Sequence, residues 1–322
     1  MLAVRCVAQS KDDPLSGLHV GDIPEPEVPD GWVSVELRSA TLNHHDLWSL
    51  KGVGLRPDQL PMTLGTDAAG VLADGTEVII YPVVADQAAG RGDETLDPGR
   101  TMFSEKHQGT FSEKVIIPAR NAVPKPKGLS WEAAACLPTA WLTAYRMLTS
   151  RSGLTGPGTV LVQGAGGGVA TAAIVLAKAL GHTVLCTSRD SGRGAKAKEL
   201  GADGCFVTGE RLPEKVDVVI ETVGAATWDH SLRALRPGGR IVVSGATTGP
   251  NPPADLNRVF FLQLSVVGST MGTRDELDEM LKLVAAKGIV PEIDSVVPMS
   301  RAHEQFAKMD TGEVFGKLVL TA

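Results

Sequence analysis

The sequence predicts an α/β protein: a doubly wound parallel sheet, preceded by a β-rich region and followed by a short return segment. Three observations carry this. From "TVLVQG" onward, Val/Ile-rich runs alternate with helical patterns, which is how a parallel sheet covered on both faces reads. Four glycines in five positions, Gly164 to Gly168, separate a strand from a helix. Up to about Pro118 the signals are instead strand and turn.

In chain order, "WVSVELRSATLN" alternates as a half-buried strand does, and "EVIIYPVV" is a short β-rich run. The segment from Ala85 to Gln108 is polar and reads as a long surface lobe, and "TFSEKVIIP" returns to strand. "SWEAAACLPTAWLTAYRML" begins with Ser130 and Glu132, a helix-start pattern, and is broken at Pro138. Strands "TVLVQG", "TVLCTS", "CFVT", "VDVVIETVG" and "RIVVSGA" then alternate with helices near "VATAAIVLAKALG", "GAKAKELGA" and "WDHSLRALRPGG". "RDELDEMLKLVAAKG" and "SRAHEQFAKMDTG" are amphipathic helices, and "GKLVLT" closes the chain as a strand.

Bulk properties exclude several classes. The 322 residues fit two domains, and the net charge of −6 gives no basic field for nucleic acid. No run reaches the roughly 18 apolar residues of a membrane span, and the N-terminus does not read as a signal peptide. Cys6, Cys136, Cys186 and Cys205 are widely spaced, with no C-x-x-C pair. The expectation is reduced thiols in a soluble cytoplasmic protein.

"TVLVQGAGGGVATAAIVLAKALG" carries the first functional signal. A glycine turn lets a pyrophosphate approach the N–H groups and positive dipole end of a helix. The expected contacts are Ala165, Gly167, Gly168 and Val169, with Ala170 in the last fingerprint position. At the end of the next strand an NAD site places an acid for the ribose hydroxyl. Here Thr187 is followed by Ser188 and Arg189, with Arg193 beyond. A hydroxyl and two guanidinium groups suit a 2′-phosphate, so NADP(H) is expected; Asp190, swung in, would favour NAD.

The anchors "ATLNHHDLWSLKG", "GTDAAG", "ACLPTAWLTAY", "VLVQGAGGGVATAAI", "ELGAD", "DVVIETVG", "LRPGGRIVVSGA" and "GKLVL" span nearly the whole chain. Together they make it resemble the medium-chain dehydrogenase/reductase superfamily, in its zinc-free, quinone oxidoreductase-like branch. The resemblance implies a GroES-like β-rich catalytic domain of residues 1–122 with 291–322. It implies a Rossmann domain of residues 123–290, with the active site in the cleft between them.

Zinc-dependent members supply catalytic ligands at three positions, held here by Asn43, Thr66 and Thr139. An amide and two hydroxyls are not zinc ligands. The structural zinc lobe needs four cysteines, and none lies between Cys6 and Cys136. Neither zinc is therefore expected. A substitute set from His44, His45, Asp67 and His107 is disfavoured, because adjacent histidines on extended backbone point to opposite sides.

Without a Lewis acid, hydride transfer needs an acceptor that is already electrophilic, a quinone or an α,β-unsaturated carbonyl. The resemblance places Asn43 and Asp46 in the reaction chamber. Asn43 would donate to substrate oxygen, Thr66 would assist, and His45 is a candidate proton donor; a structural role for Asp46 is equally compatible. It places His44, Thr139, Thr143, Val223, Gly224, Ser244, Gly245, Ala246 and Lys317 against the cofactor. Gly54 stands where mitochondrial-type enoyl thioester reductases carry Tyr, which argues against a thioester substrate. The run "FFLQLSVVGST" fits an edge strand for a homodimer. Two other readings stay open: a metal-dependent alcohol dehydrogenase with atypical ligands, and an NADPH-binding protein without turnover.

Overall fold

The computed structural model describes residues 1–322 as two compact units, Met1–Ala140 with Thr273–Ala322, and Trp141–Gly272. The segments 123–140 and 273–290, expected in the second domain, belong to the first unit here.

In the first unit, β1 (Trp32–Thr41) leads through Asn43 into α1 (His44–Leu50). Strands β2 (Asp67–Leu72), β3 (Glu77–Ile80), β4 (Lys114–Pro118) and β5 (Ala122–Pro124) follow, then α2 (Trp131–Ala135). Ser130 caps α2, its hydroxyl accepting from Ala133 N–H. The alanines of α2 are buried on β1 and β2, which ties this helix to the first unit.

The second unit opens with α3 (Leu142–Leu148). It then alternates β6 (Thr159–Val162), α4 (Gly168–Ala179), β7 (Thr183–Ser188), α5 (Ser191–Glu199), β8 (Gly204–Val207), β9 (Val216–Glu221), α6 (Trp228–Ala234) and β10 (Leu235–Val243). The unit ends with α7 (Leu256–Phe261) and β11 (Ser265–Gly268). The strand order β8-β7-β6-β9-β10-β11 is parallel throughout. It reverses direction at β6/β9, where such sheets bind ligands. Val160, Leu161, Val219, Ile220, Ile241 and Val242 form its dry centre.

The chain then returns to the first unit as α8 (Arg274–Lys287), β12 (Ile293–Pro298), α9 (Ala302–Thr311) and β13 (Lys317–Thr321). Thr273 and Glu276 form a capping box on α8, and Gly288 closes it in the left-handed region. Strand β13 inserts between β12 and β1, giving the order β5-β3-β2-β1-β13-β12, with β4 also on β1. The last residues of the chain thus sit in the middle of this sheet, beside residues near position 40.

Candidate functional site

Where β1 ends, β2 begins and β13 begins, a buried polar cluster forms. Lys317, 2% exposed, donates to Leu42 O at 2.8 Å, Asn43 Oδ1 at 2.7 Å and Asp67 Oδ2 at 3.1 Å. Asp67, fully buried, also accepts from Thr41 Oγ1 and Asn43 Nδ2, each at 2.8 Å. The second Asn43 amide N–H donates to Thr66 Oγ1 at 3.1 Å, and Thr66 Oγ1 lies 3.0 Å from Thr139 Oγ1.

Counting protons gives this series a direction. Asn43 Oδ1 accepts from Lys317, so its NH₂ faces Thr66 and Asp67 and has no donor left over. Thr66 is fully buried and already accepts from Asn43, so its own proton goes to Thr139. Thr139 is only half-buried, and its hydroxyl proton remains to be given elsewhere. Asn43, expected to donate to substrate oxygen, thus has its amide protons engaged, and the proton left over is on Thr139, which was expected against the cofactor.

Local backbone explains the placement. Gly65 has φ +98° and receives Phe111 so closely that a Cβ would lie 2.4 Å from its ring; only glycine fits there. Asp46 accepts from Asn43 N–H at 2.8 Å and Gly65 N–H at 2.9 Å, fixing the two loops to each other. Both carboxylate oxygens are thus engaged with backbone, which favours the structural role for Asp46.

His44 and His45 lie in the first turn of α1 rather than on extended backbone, so the argument that they point oppositely does not hold. His44 is exposed, and His45 turns to Glu105, Nε2 to Oε1 3.4 Å, without hydrogen-bond alignment. Burial opposes charge on His45, but the Asp46 and Glu105 carboxylates outweigh it and raise its pKa to about 9. No group of three His, Cys, Asp or Glu side chains converges as a metal site would require. Asn43, Thr66 and Thr139 do not fit a zinc ion: they offer neutral oxygens and an amide, and the Lys317 ammonium already charges the spot.

In the second unit, the glycine turn fits a dinucleotide. Gly164 and Gly166 take φ of +75° and +137°, and a Cβ on Gly164 would meet Val223 Cγ2 at 2.8 Å. Gly167, the N-cap of the 12-residue α4, provides no capping side chain, so the first-turn N–H groups face outward unsatisfied. Gly168 and Val169 open the helix, and the Ser244 hydroxyl at the end of β10 is buried without a partner; Gly245 and Ala246 follow it.

Beneath the turn lies a network that the sequence reading missed. Glu221, fully buried, accepts from Val223 N–H, Gly224 N–H, Thr227 Oγ1 and Ser231 Oγ. The Val223 and Gly224 amides are therefore committed to Glu221. Gln163 donates to Ser231 Oγ at 2.9 Å and accepts from Thr187 Oγ1 at 2.7 Å. Thr187 in turn receives Gly164 N–H at 3.1 Å, and its carbonyl receives Ala165 N–H at 2.7 Å. Thr187 is fully buried and so supports the turn. A lone Glu ending the apolar strand "VDVVIE" was the available signal.

At the end of β7, the Ser188 hydroxyl bonds Asp190 O at 2.8 Å. Asp190 caps α5 through Arg193 N–H at 2.7 Å, so its carboxylate faces its own helix. Arg189 is exposed. Thr143 Oγ1 contacts Met271 Sδ at 3.9 Å, and Trp141 is core at 1% exposure.

Comparisons with known proteins place the chain in a family. Residues 29–127 match the family model for the alcohol dehydrogenase GroES-like domain, and 168–286 that for zinc-binding dehydrogenase. A zinc-type alcohol dehydrogenase-like protein of Schizosaccharomyces pombe is 30% identical over 337 residues, 96% of this chain and 97% of that one. The chain belongs to the medium-chain dehydrogenase/reductase superfamily. It is an oxidoreductase of that family, with its GroES-like and Rossmann domains. An acryloyl-coenzyme A reductase of Metallosphaera sedula is 29% identical over 323 residues, 95% of this chain and 96% of that one. A solved structure described as an NAD-dependent alcohol dehydrogenase is 34% identical, covers 100% of both chains and has a TM-score of 0.92. The zinc-named model covers none of Asn43, Thr66 and Thr139. No helix is long and apolar enough to cross a membrane.

Replacing Lys317 by Met leaves Asp67 buried and uncompensated. Chemical denaturation should show a loss of about 3–5 kcal/mol. Asp67→Asn combined with Lys317→Met should lose less than the sum of the two single changes.

The His45–Glu105 pair gives a pH signature. His45 is held protonated above its ordinary 6.5, so its stabilisation is complete below 6.5 and lost as pH rises through about 9. The decline across that window should be about 1–3 kcal/mol. Glu105→Gln should reduce it, leaving the part due to Asp46; an unchanged pH profile in that variant would count against the pairing.

Proposed function

We propose that this chain is an NADPH-dependent, zinc-independent reductase of an α,β-unsaturated carbonyl or a quinone. The observation that carries the reading is the directed donor series Asn43–Thr66–Thr139, which ends in a free hydroxyl proton at the positions of the family's metal ligands. The name of the Metallosphaera relative, an acryloyl-coenzyme A reductase, supports an unsaturated acyl thioester as the first substrate class to test. It outweighs the argument from Gly54.

The glycine turn and the N-terminus of α4 would hold the pyrophosphate, and Arg189 with Arg193 the 2′-phosphate, while Ser188, its hydroxyl engaged by Asp190, would fix the loop beneath them. Bound there, NADPH supplies the hydride. Addition at the β-carbon of an enone places negative charge on the carbonyl oxygen. The Thr139 hydroxyl, its lone pair facing Thr66, donates to that oxygen and stabilises the charge. Lys317 does not touch the substrate, because its three N–H bonds are engaged; it orients Asn43 and so the series. The exposed Phe260, Phe261 and Val266, at 67%, 80% and 49%, lie on α7 and edge strand β11 and support the expected homodimer.

NADPH oxidation should proceed with crotonyl-coenzyme A or an enone, at the same rate with and without EDTA. Turnover abolished by EDTA would favour the metal-dependent alcohol dehydrogenase reading. Tight NADPH binding with no acceptor reduced would favour a binding role. Thr139→Val should lower kcat by roughly 10²-fold, the loss typical of one such donor, with little change in the KM for NADPH; Thr139→Ser should recover most of it.

Arg189→Gln should raise the KM for NADPH by about tenfold, the scale of one charged hydrogen bond. The KM for NADH should stay the same. Equal changes for both cofactors would remove Arg189 from the 2′-phosphate.

A further inference from the structure

Four thiols are present, and two of them are paired. Cys186 on β7 and Cys205 on β8 are direct partners in the parallel register. Facing residues on neighbouring strands share one face of the sheet, with strands about 4.8 Å apart. That spacing lies inside the roughly 4.4–6.8 Å Cα separation that disulfides span. The shared face is covered by α5, where a Cβ on Gly194 would lie 3.2 Å from Cys205 Sγ. Strand β8 is the sheet edge, and its one strand partner is β7.

The two thiols differ in access. Cys186 is fully buried, whereas Cys205 is partly exposed. The facing Cys186 thiol, with the nearby Lys198 charge, holds Cys205 below an ordinary thiol despite its burial. Cys6 and Cys136 have no thiol neighbour. Their Sγ atoms donate to Ala8 O and Glu132 O, and burial raises them to about 11 and about 12. They serve as internal controls for buried, inert cysteine.

We propose that Cys186 and Cys205 form a reversible dithiol–disulfide pair, closed by a peroxide, whose oxidation weakens cofactor binding at the neighbouring end of β7. The Cys205 thiolate attacks a peroxide oxygen, giving a sulfenic acid and, after protonation, water or an alcohol. The Cys186 thiol then attacks the sulfenic sulfur, its proton leaving with the hydroxyl as water. The two sulfurs lose two electrons and the peroxide is reduced. Closure draws β8 toward β7 beneath α5. Helix α5, which packs on β7 and β8 over Cys205, carries the shift to its first turn at Asp190–Arg193 and to Ser188. The cofactor consequence rests on the phosphate site proposed above; the disulfide itself does not.

The test treats purified full-length protein with hydrogen peroxide, alkylates the remaining thiols, and maps peptides without reduction. A Cys186–Cys205 cross-linked peptide should form, with Cys6 and Cys136 alkylated, and dithiothreitol should reverse it. Cys205→Ser and Cys205→Ala should each abolish it; using both guards against one variant folding poorly. Both thiols remaining alkylatable, or Cys205 passing to sulfinic acid with Cys186 free, would overturn the pair. NADPH titration of the oxidised protein should show a Kd several-fold higher, restored on reduction. A cross-link with unchanged Kd would overturn the coupling to cofactor while leaving the pair. Failure of NADPH to bind the reduced protein would instead overturn the phosphate-site reading.

Discussion

The ammonium of Lys317 against the carboxylate of Asp67 is the contact on which the first unit's polar cluster depends. Both groups are removed from water, where a charge is tolerated only if it is paired and hydrogen-bonded. The pairing is met by strand geometry: β13, paired with β1, brings Lys317 to the end of β1 and the start of β2, so three segments apart in sequence meet at one cation. Because Lys317 spends one N–H on Asn43 Oδ1, the amide cannot flip. The orientation of Asn43 then decides which way each downstream hydroxyl faces. One buried charge thus sets the direction of a series of neutral groups.

The second unit solves a related problem with a different sign. Glu221 is a buried carboxylate with four donors and no cation among its partners. Its donors include two backbone amides after β9, and the Ser231–Gln163–Thr187 bonds extend its reach to the amide of Gly164. Glycine turns are conformationally free, so a turn meant to hold a phosphate must be fixed by its surroundings. Here the fixing is done from below, by side chains that would never touch the ligand. The upper surface, with the first-turn N–H groups of α4, carries no capping side chain.

The fold was legible because its signals are periodic and local. The Val/Ile runs, the glycine turn and the helix start at Ser130 all lie within a few residues of what they determine. Much of the cluster's composition was legible too, since Asn43, Thr66, Thr139 and Lys317 all stand in family motifs. Its wiring was not. Whether Asn43 donates to a substrate or to Thr66 depends on Lys317, which lies 274 residues away in sequence. Likewise, the argument about His44 and His45 assumed extended backbone, whereas α1 begins at His44. The Glu221 network was invisible for the same reason: its members come from four separate strand and helix ends.

This wiring bears on which acceptors such a site can serve. A zinc ion stabilises an alkoxide by several kcal/mol as a Lewis acid, and one oxyanion-hole donor contributes roughly 3–4 kcal/mol. A hydroxyl can match part of that only if it is oriented before the substrate arrives. Thr139 meets the condition through Thr66, whose own proton is forced outward by the Asn43 donor behind it. Even so, the donor is neutral and single. It suits charge delocalised over an enolate or a hydroquinone better than charge localised on an alkoxide. The proposed preference for conjugated acceptors therefore rests on how much negative charge one oriented hydroxyl can hold, and Lys317, though cationic, adds to it only through the orientation it imposes.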